Sequence, residues 1–296
     1  MSLRTLLLLV LLLPAVVVGA ATATGQRIPV PEWGRDYVLR FALDPAEGPL
    51  VLPAIAGPDD PSRPLVVIDA GHGGRDPGAI GEGEDGTRFA EKDITLAIAR
   101  AVREELLRSG TIRVALTRED DRILALGDRS EIARQLGADL FISIHADSAG
   151  ERDTVSGASV YTLSNAASSE AAARFAAREN SADRVNGLSV AGQSEAVSAL
   201  LVELSQQRTQ DDAARFAALL VREGEGALAF VAQPRRSAAL AVLRAPDVPS
   251  VLFESGFVTN QADRARLTTP EGRQTYAAVL ARAIRIYFAA RSEDGR

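Results

Sequence analysis

Short apolar runs alternate with amphipathic segments along the chain from about residue 65 onward. Runs of strand length predict β-strands over 65–69, 112–116, 140–144, 159–163 and 248–254, and residues 239–243 are expected to pair beside the last of them. Helical spacing of apolar positions predicts α-helices over 91–108, 128–136 and 275–289. In the first of these helices, Ile94, Ile98 and Val102 share one face. The alternation predicts an α/β fold, with a mostly parallel twisted sheet flanked by helices.

The pattern changes between residues 164 and 236, which are rich in Ala, Glu, Gln, Arg and Ser. Three helices are predicted there, over 168–179, 195–207 and 211–223. Thr209 with Asp212 resembles a capping box for the third helix. Because the region is too long for a simple crossover between strands, we expect a helical insertion with a purpose of its own.

The N-terminal residues predict a secretory signal peptide over residues 1–23. Arg4 gives a positive start, an apolar core follows over 6–18, and Ala21-Thr22-Ala23 offers small residues for cleavage. An uncleaved membrane anchor is the alternative, but the apolar core is short for a membrane span. The proline-rich residues 24–64 predict an extended lead-in with one short strand at 37–43. The folded domain is therefore expected over 65–292.

The charge distribution and the cysteine content exclude several classes of protein. The net charge of −6 is spread without a basic stripe, so nucleic-acid binding is not expected. The chain contains no cysteine, which excludes disulfides and a lipobox acylation site. Export without disulfides suits a bacterial envelope protein. We expect a periplasmic location with no membrane span after signal cleavage.

Both histidines of the chain follow predicted strands. His72 ends the run that begins at Leu65, and His145 ends the run that begins at Asp139. Ligands of open α/β sheets bind at the carboxyl ends of strands, and a neutral imidazole is the commonest metal ligand. The two side chains therefore predict a divalent metal site at that edge of the sheet.

Two glutamates are candidates for completing this site. Zinc hydrolases typically use three protein ligands and leave a position for water, and Glu91, which opens the first helix, is the best candidate for the third ligand. Glu254 ends the late strand at the same edge and is the candidate general base. Simpler interpretations remain for both. Glu91 could be a favourable negative charge in the first turn of a helix. Glu254 could be a solvent-exposed residue at the end of a strand. Two imidazoles and a carboxylate suit zinc without excluding cobalt or manganese.

Four motifs follow one another in the chain: 67–79 (VIDAGHGGRDPGA), 91–93 (EKD), 143–147 (SIHAD) and 254–260 (ESGFVTN). From about residue 65 to the C-terminus the chain resembles the zinc-dependent N-acetylmuramoyl-L-alanine amidases, which cleave peptidoglycan during bacterial cell separation. The resemblance implies that His72, Glu91 and His145 bind one zinc ion and that Glu254 is catalytic.

The resemblance also gives the region 164–236 an expected role. In the cell-division members of the family, a helical segment after the second histidine blocks the zinc site with a glutamate, and a divisome partner protein draws that segment away. Residues 176–183 resemble this segment. Glu179 is the expected blocking ligand, with Glu170 and Glu195 as alternatives. Family members often carry an N-terminal wall-targeting domain, and residues 24–64 are too short for a whole one.

The function implied is zinc-dependent hydrolysis of the amide between N-acetylmuramic acid and L-alanine in peptidoglycan, in wall turnover and daughter-cell separation. A zinc peptidase or deacylase acting on another cell-wall amide is one alternative. A non-catalytic wall-binding protein is another, and the intact set of His72, Glu91, His145 and Glu254 argues against it.

Overall fold

The computed structural model describes residues 50–149, 155–186 and 199–293. The predicted signal peptide, the predicted strand at 37–43 and Glu195 lie outside these residues. Residues 50–64, the described end of the lead-in, form neither a helix nor a strand of a sheet, and Ala56 forms an isolated antiparallel bridge with Val114. None of the helices in the described part of the chain is long and apolar enough to cross a membrane.

The strands form a six-stranded mixed sheet and a separate two-stranded hairpin. They are β1 (Leu65–Ala70), β2 (Ile80–Glu82), β3 (Arg88–Ala90), β4 (Arg113–Leu116), β5 (Leu140–Asp147), β6 (Ala158–Leu163), β7 (Phe230–Ala238) and β8 (Ser250–Phe257). The large sheet has the order β4-β1-β5-β8-β6-β7, and β2 pairs with β3. All neighbours in the large sheet are parallel except β6 and β8, which are antiparallel.

Helices cover both faces of this sheet. They are α1 (Glu91–Leu107), α2 (Leu126–Gln135), α3 (Glu170–Glu179), α4 (Ala182–Val185), α5 (Ala199–Gly224), α6 (Gln261–Thr268) and α7 (Pro270–Glu293), with a 3-10 helix at Ala241–Leu243. One buried cluster contains residues of α1, α5 and α7, including Ile98, Phe216 and Leu280. A second contains residues of α2, α3 and the 3-10 helix. The predicted α/β class, a mostly parallel sheet flanked by helices, is confirmed.

Two predictions about the region 164–236 are wrong in detail. The helices predicted over 195–207 and 211–223 are, in the described residues, parts of one helix, α5. Thr209 therefore lies inside a helix and is not an N-cap residue, and its hydroxyl donates to the carbonyl of Pro246. Neither glycine nor proline occurs between residues 199 and 223 to end the helix.

The second half of that region belongs to the core of the fold. Phe216 and Leu220 of α5 are completely buried, and β7 extends the sheet beside β6. The strand predicted over 239–243 is wrong, because those residues contain the 3-10 helix. The sequence of β7, FVAQPRRSA, is polar and holds a proline, which a strand tolerates at the edge of a sheet.

Candidate metal site and active site

Three adjacent parallel strands carry the candidate residues to one edge of the sheet. β5 lies between β1 and β8, and His145 of β5 is directly opposite Glu254 of β8. His72 follows the end of β1 by two residues. Since parallel strands end at the same edge, the three side chains meet there, as the sequence led us to expect.

The backbone at His72 has a left-handed conformation. Its φ is 63°, and in the described ranges no other non-glycine residue has a positive φ. Such a conformation costs about 1–3 kcal/mol for a residue with a Cβ and is typical of functional sites. It presents the imidazole with Nδ1 2.8 Å from Asp76 Oδ2, while the buried Nε2 lacks a hydrogen-bond partner. A ring held by a carboxylate on one nitrogen and free on the other is arranged as a metal ligand.

Glu91 begins α1 and is fixed by two backbone amides. Its Oε2 accepts from Ala79 N and its Oε1 from Ala146 N, both at 2.8 Å. Oε1 also lies 3.1 Å from His72 Nε2 and 3.2 Å from His145 Nδ1. Burial opposes its charge, but the two histidines hold the pKa of Glu91 well below its ordinary value. The structure thus places a carboxylate anion between the two imidazoles.

A second carboxylate reaches the histidines from α3. Glu179 Oε2 lies 3.5 Å from His72 Nε2 and 3.3 Å from His145 Nδ1, and these three residues form a buried group able to hold a metal ion. Glu170 begins α3, is exposed and faces Arg174. Of the two alternatives, Glu170 is therefore away from the site, and Glu195 lies outside the described residues.

The spacing of the four candidate ligand atoms, His72 Nε2, His145 Nδ1, Glu91 Oε1 and Glu179 Oε2, fits a tetrahedral ion. The four separations between an imidazole nitrogen and a carboxylate oxygen range from 3.1 to 3.5 Å. A tetrahedral zinc site with bonds of about 2.0–2.1 Å has ligand–ligand separations of about 3.3–3.4 Å. The donor set of two imidazoles and two carboxylates also suits zinc.

Carboxylates are concentrated around this point. Asp147 and Glu254 lie beside the ligand group, and burial followed by the charges of Glu91 and Glu179 raises the pKa of Asp147 to about 7, although Arg178 opposes the shift. Arg178 pairs with both Asp147 and Glu179. A divalent cation would balance this accumulation of negative charge.

Glu254 has one oxygen held and one oxygen free. Oε2 accepts from Asp147 N at 3.0 Å, whereas the buried Oε1 has no hydrogen-bond partner. Burial, and then the charges of Asp147 and Glu91, raise the pKa of Glu254 well above its ordinary value. A buried carboxyl group with a raised pKa and a free oxygen can take up and return a proton.

Polar contacts fasten the end of α3 and the turn that follows it. Asn180 Nδ2 donates to the carbonyl of Ala239, and Asn180 Oδ1 accepts from the amide of Ala241, both at 2.8 Å. Asp183 Oδ1 accepts from the amide of Leu126, the first residue of α2, at 2.9 Å. Together with the pairs of Arg178, these bonds hold Glu179 against the histidines.

A buried polar network below the site was not predicted from the sequence. Asp69 of β1 is completely buried and accepts from Thr117 Oγ1 at 2.6 Å, Ser143 Oγ at 2.7 Å and Arg129 Nη1 at 2.8 Å. The available signal was an aspartate inside an otherwise apolar strand, since buried charges are rare unless they are paired. Asp76, Asp147 and Arg178 were also missed.

Comparisons with known proteins agree on one family. A family model described as N-acetylmuramoyl-L-alanine amidase matches residues 66–285. The N-acetylmuramoyl-L-alanine amidase AmiA of Salmonella typhimurium is 39% identical over 228 residues, 77% of this chain and 77% of that protein. AmiA of Escherichia coli is 39% identical over 225 residues, 76% of each chain. The solved structure of the amidase AmiC2 of Nostoc punctiforme has a TM-score of 0.53 at 28% identity and covers 76% of this chain and 97% of that one.

Proposed function

The chain belongs to the N-acetylmuramoyl-L-alanine amidase family, and from this membership we propose that it uses one zinc ion to hydrolyse the amide between N-acetylmuramic acid and L-alanine in peptidoglycan. The family and the hydrolase class that the four motifs predicted are confirmed. The observation that carries the proposed chemistry is the meeting of His72 Nε2, His145 Nδ1 and Glu91 Oε1, with Glu254 directly opposite His145 on the neighbouring strand.

His72, His145 and Glu91 would hold the ion. Zinc supplies Lewis acidity, which polarises a substrate carbonyl and acidifies a water molecule. Asp76 orients the ring of His72 through Nδ1, and the amides of Ala79 and Ala146 orient Glu91. Partners of this kind fix the direction in which a ligand presents its donor atom.

Glu254 moves the proton in the proposed reaction. Its free Oε1 accepts a proton from the attacking water as the new C–O bond forms. The same carboxyl group then donates that proton to the amine of L-alanine as the C–N bond breaks. The amide of Asp147 keeps the other oxygen in place, so the carboxyl group stays aimed during both transfers.

Regulation is the second part of the proposal. Glu179 of α3 would supply the fourth ligand, since its Oε2 lies 3.3 to 3.5 Å from the imidazole nitrogens. A fourth protein ligand leaves no position for the attacking water. A divisome partner protein would therefore have to displace α3 before peptidoglycan can enter.

We place the protein in the periplasm. Residues 1–23 would then be a cleaved signal peptide, 24–64 the lead-in and 65–292 the catalytic domain. Within the region 164–236, α3 and the residues directly after it would block the site, because the later residues build the core and the sheet.

Removal of Glu179 should activate the free protein. Glu179→Ala deletes the fourth ligand and keeps α3, so basal release of peptidoglycan should rise, by roughly 100-fold if the covered form outnumbers the open form 99 to 1. Dye release from labelled sacculi without any partner protein measures it. Glu170→Ala is the matched control, since Glu170 lies on the same helix and is exposed. Equal basal rates in the two variants would remove the blocking role from Glu179.

The reaction itself is tested with the Glu179→Ala protein on purified peptidoglycan. We expect intact glycan strands and new N-terminal L-alanine on the released stem peptides, loss of release with a chelator, and recovery with added zinc. Cleavage between amino acids of the stem would support the peptidase alternative instead. Binding to sacculi without any released product would support a non-catalytic protein.

A further inference from the structure

Two buried arginines bind the backbone on which His72 is carried. Arg118 Nε donates to the carbonyl of Ala70 and Arg118 Nη2 to that of Gly71, each at 2.9 Å. Arg129 Nη1 donates to the carbonyl of Ala70 and Arg129 Nη2 to that of His72, each at 2.8 Å. Three successive carbonyls thus accept from two guanidinium groups, at the point where β1 ends and the chain enters the left-handed residue.

The same guanidinium groups connect this backbone to other parts of the site. Arg118 Nη2 also donates to the carbonyl of Lys92 at 2.7 Å, so one nitrogen joins the residue before His72 to the residue after Glu91. Arg129 Nη1, which binds the carbonyl of Ala70, also donates to the buried carboxylate of Asp69. The hydroxyl of Thr95 is a second donor to the carbonyl of Gly71, at 2.9 Å.

These contacts are unusual for buried cations. Arg118 is 1% exposed and its hydrogen bonds go to four backbone carbonyls and the hydroxyl of Thr95. Burying a guanidinium group costs free energy, which hydrogen bonds to neutral acceptors offset less than pairing with a carboxylate does. The planar fork of arginine bonds several carbonyls in fixed directions, which a lysine ammonium group does not.

We propose that Arg118 and Arg129 form a carbonyl clamp that positions His72 for metal binding. The clamp holds residues 70–72 so that the left-handed backbone persists and Nε2 stays aimed at His145 and Glu91 before any ion arrives. Both arginines are positioning residues, because neither contacts the ligand atoms of the site. The proposal rests on the assignment of His72 as a ligand.

The test compares Arg118→Lys and Arg129→Lys with the control Arg134→Lys in the full chain after signal removal. Arg134 lies on α2 like Arg129, and its side chain is 7% exposed but pairs with Glu131 and Asp247 rather than with the backbone near His72. Zinc affinity is measured by competition with a chromophoric chelator, well below the unfolding temperature of each protein. Each clamp variant should bind zinc about 10–100-fold more weakly, as is typical when a partner of a metal ligand is removed. The control should stay within about twofold of the wild type, because its contacts are remote from the ligands.

Two further readouts separate positioning from general stability. In the metal-free proteins, amide hydrogen exchange at residues 71–74 should accelerate in the clamp variants and not in the control. In the cobalt-substituted proteins, the visible absorption of the tetrahedral ion should change only in the clamp variants. Equal zinc affinity and equal exchange in clamp and control variants would overturn the proposal, and so would an equal loss in the control.

The outcomes also separate this proposal from the proposed function. If the wild type binds no zinc, the metal assignment fails, and exchange at residues 71–74 still decides whether the clamp orders the loop. If the arginine variants do not fold, Thr95→Val removes one donor to the Gly71 carbonyl and nearly preserves side-chain volume. It should give a smaller loss of affinity with faster exchange in the same residues. No change in either would overturn the clamp.

Discussion

Glu254→Gln should retain zinc and lose about 10²–10⁴ in turnover, which is the usual contribution of acid–base catalysis. The amide preserves the shape of the side chain and can still accept from the amide of Asp147, which Oε2 contacts at 3.0 Å. It has no carboxylate oxygen to take a proton from water. The loss should therefore appear in kcat with little change in metal content.

The measurement needs an enzyme that is already open, so Glu254→Gln is best made in the Glu179→Ala background. Turnover is followed by release from labelled sacculi, and zinc by elemental analysis of the same samples. Gln261→Glu is a useful control, because it alters charge at an exposed position near the start of α6. A double variant that kept more than about a tenth of the activity of Glu179→Ala would rule out Glu254 as the proton carrier.

His145→Ala should abolish both zinc binding and hydrolysis. The imidazole nitrogen lies between Glu91 and Glu179, at 3.2 and 3.3 Å, so its removal leaves one histidine among carboxylates. A ligand that binds only the folded protein stabilises it, by about 4 kcal/mol at 1,000 times the dissociation constant. Added zinc should therefore raise the unfolding temperature of the wild type and leave that of His145→Ala unchanged.

Elemental analysis and thermal unfolding with and without zinc check this expectation. Glu170→Ala again serves as the control and should show the full zinc-dependent shift. Stoichiometric zinc in purified His145→Ala would contradict the ligand assignment. A shift lost in the control as well would point to a general effect of purification or folding.

The meeting of the candidate residues could be predicted because it follows from strand ends. His72, His145 and Glu254 each end an apolar run, and the carboxyl ends of parallel strands share one edge. Glu91 could be added because a helix that returns from the sheet begins near the same edge. These are local patterns combined with one general rule of topology, and the structure brings all four residues together.

The outer part of the sheet could not be predicted in the same way. β6 is antiparallel to β8, and the direction of a strand depends on the path of the chain outside it rather than on its own residues. β7 was missed because its polar sequence reflects an edge position. α5 was divided in two because Thr209 resembled a cap, while the burial that makes the helix continuous, at Phe216 and Leu220, comes from the sheet below.

The clamp was hidden for a different reason. Arg118 and Arg129 lie 47 to 60 positions along the chain from residues 69–72, whose carbonyl and carboxylate groups they bind. Arginine is usually exposed, so the sequence alone favours a surface position for both. The left-handed backbone of His72 is equally invisible, since glycine is the residue that normally marks such a position.

The fastening of the segment after α3 has a genetic consequence. In the part of the chain that the structure describes, the side chains of Asn180 and Asp183 bind main-chain atoms of Ala239, Ala241 and Leu126. Exchanging the side chains of the receiving residues leaves those atoms in place, and only proline at 126 or 241 deletes an amide donor. Mutations that remove these three hydrogen bonds are therefore concentrated at Asn180 and Asp183. A single codon change at Asn180 or Asp183 can loosen the hold on Glu179, whereas most changes at Ala239, Ala241 and Leu126 leave these three bonds in place.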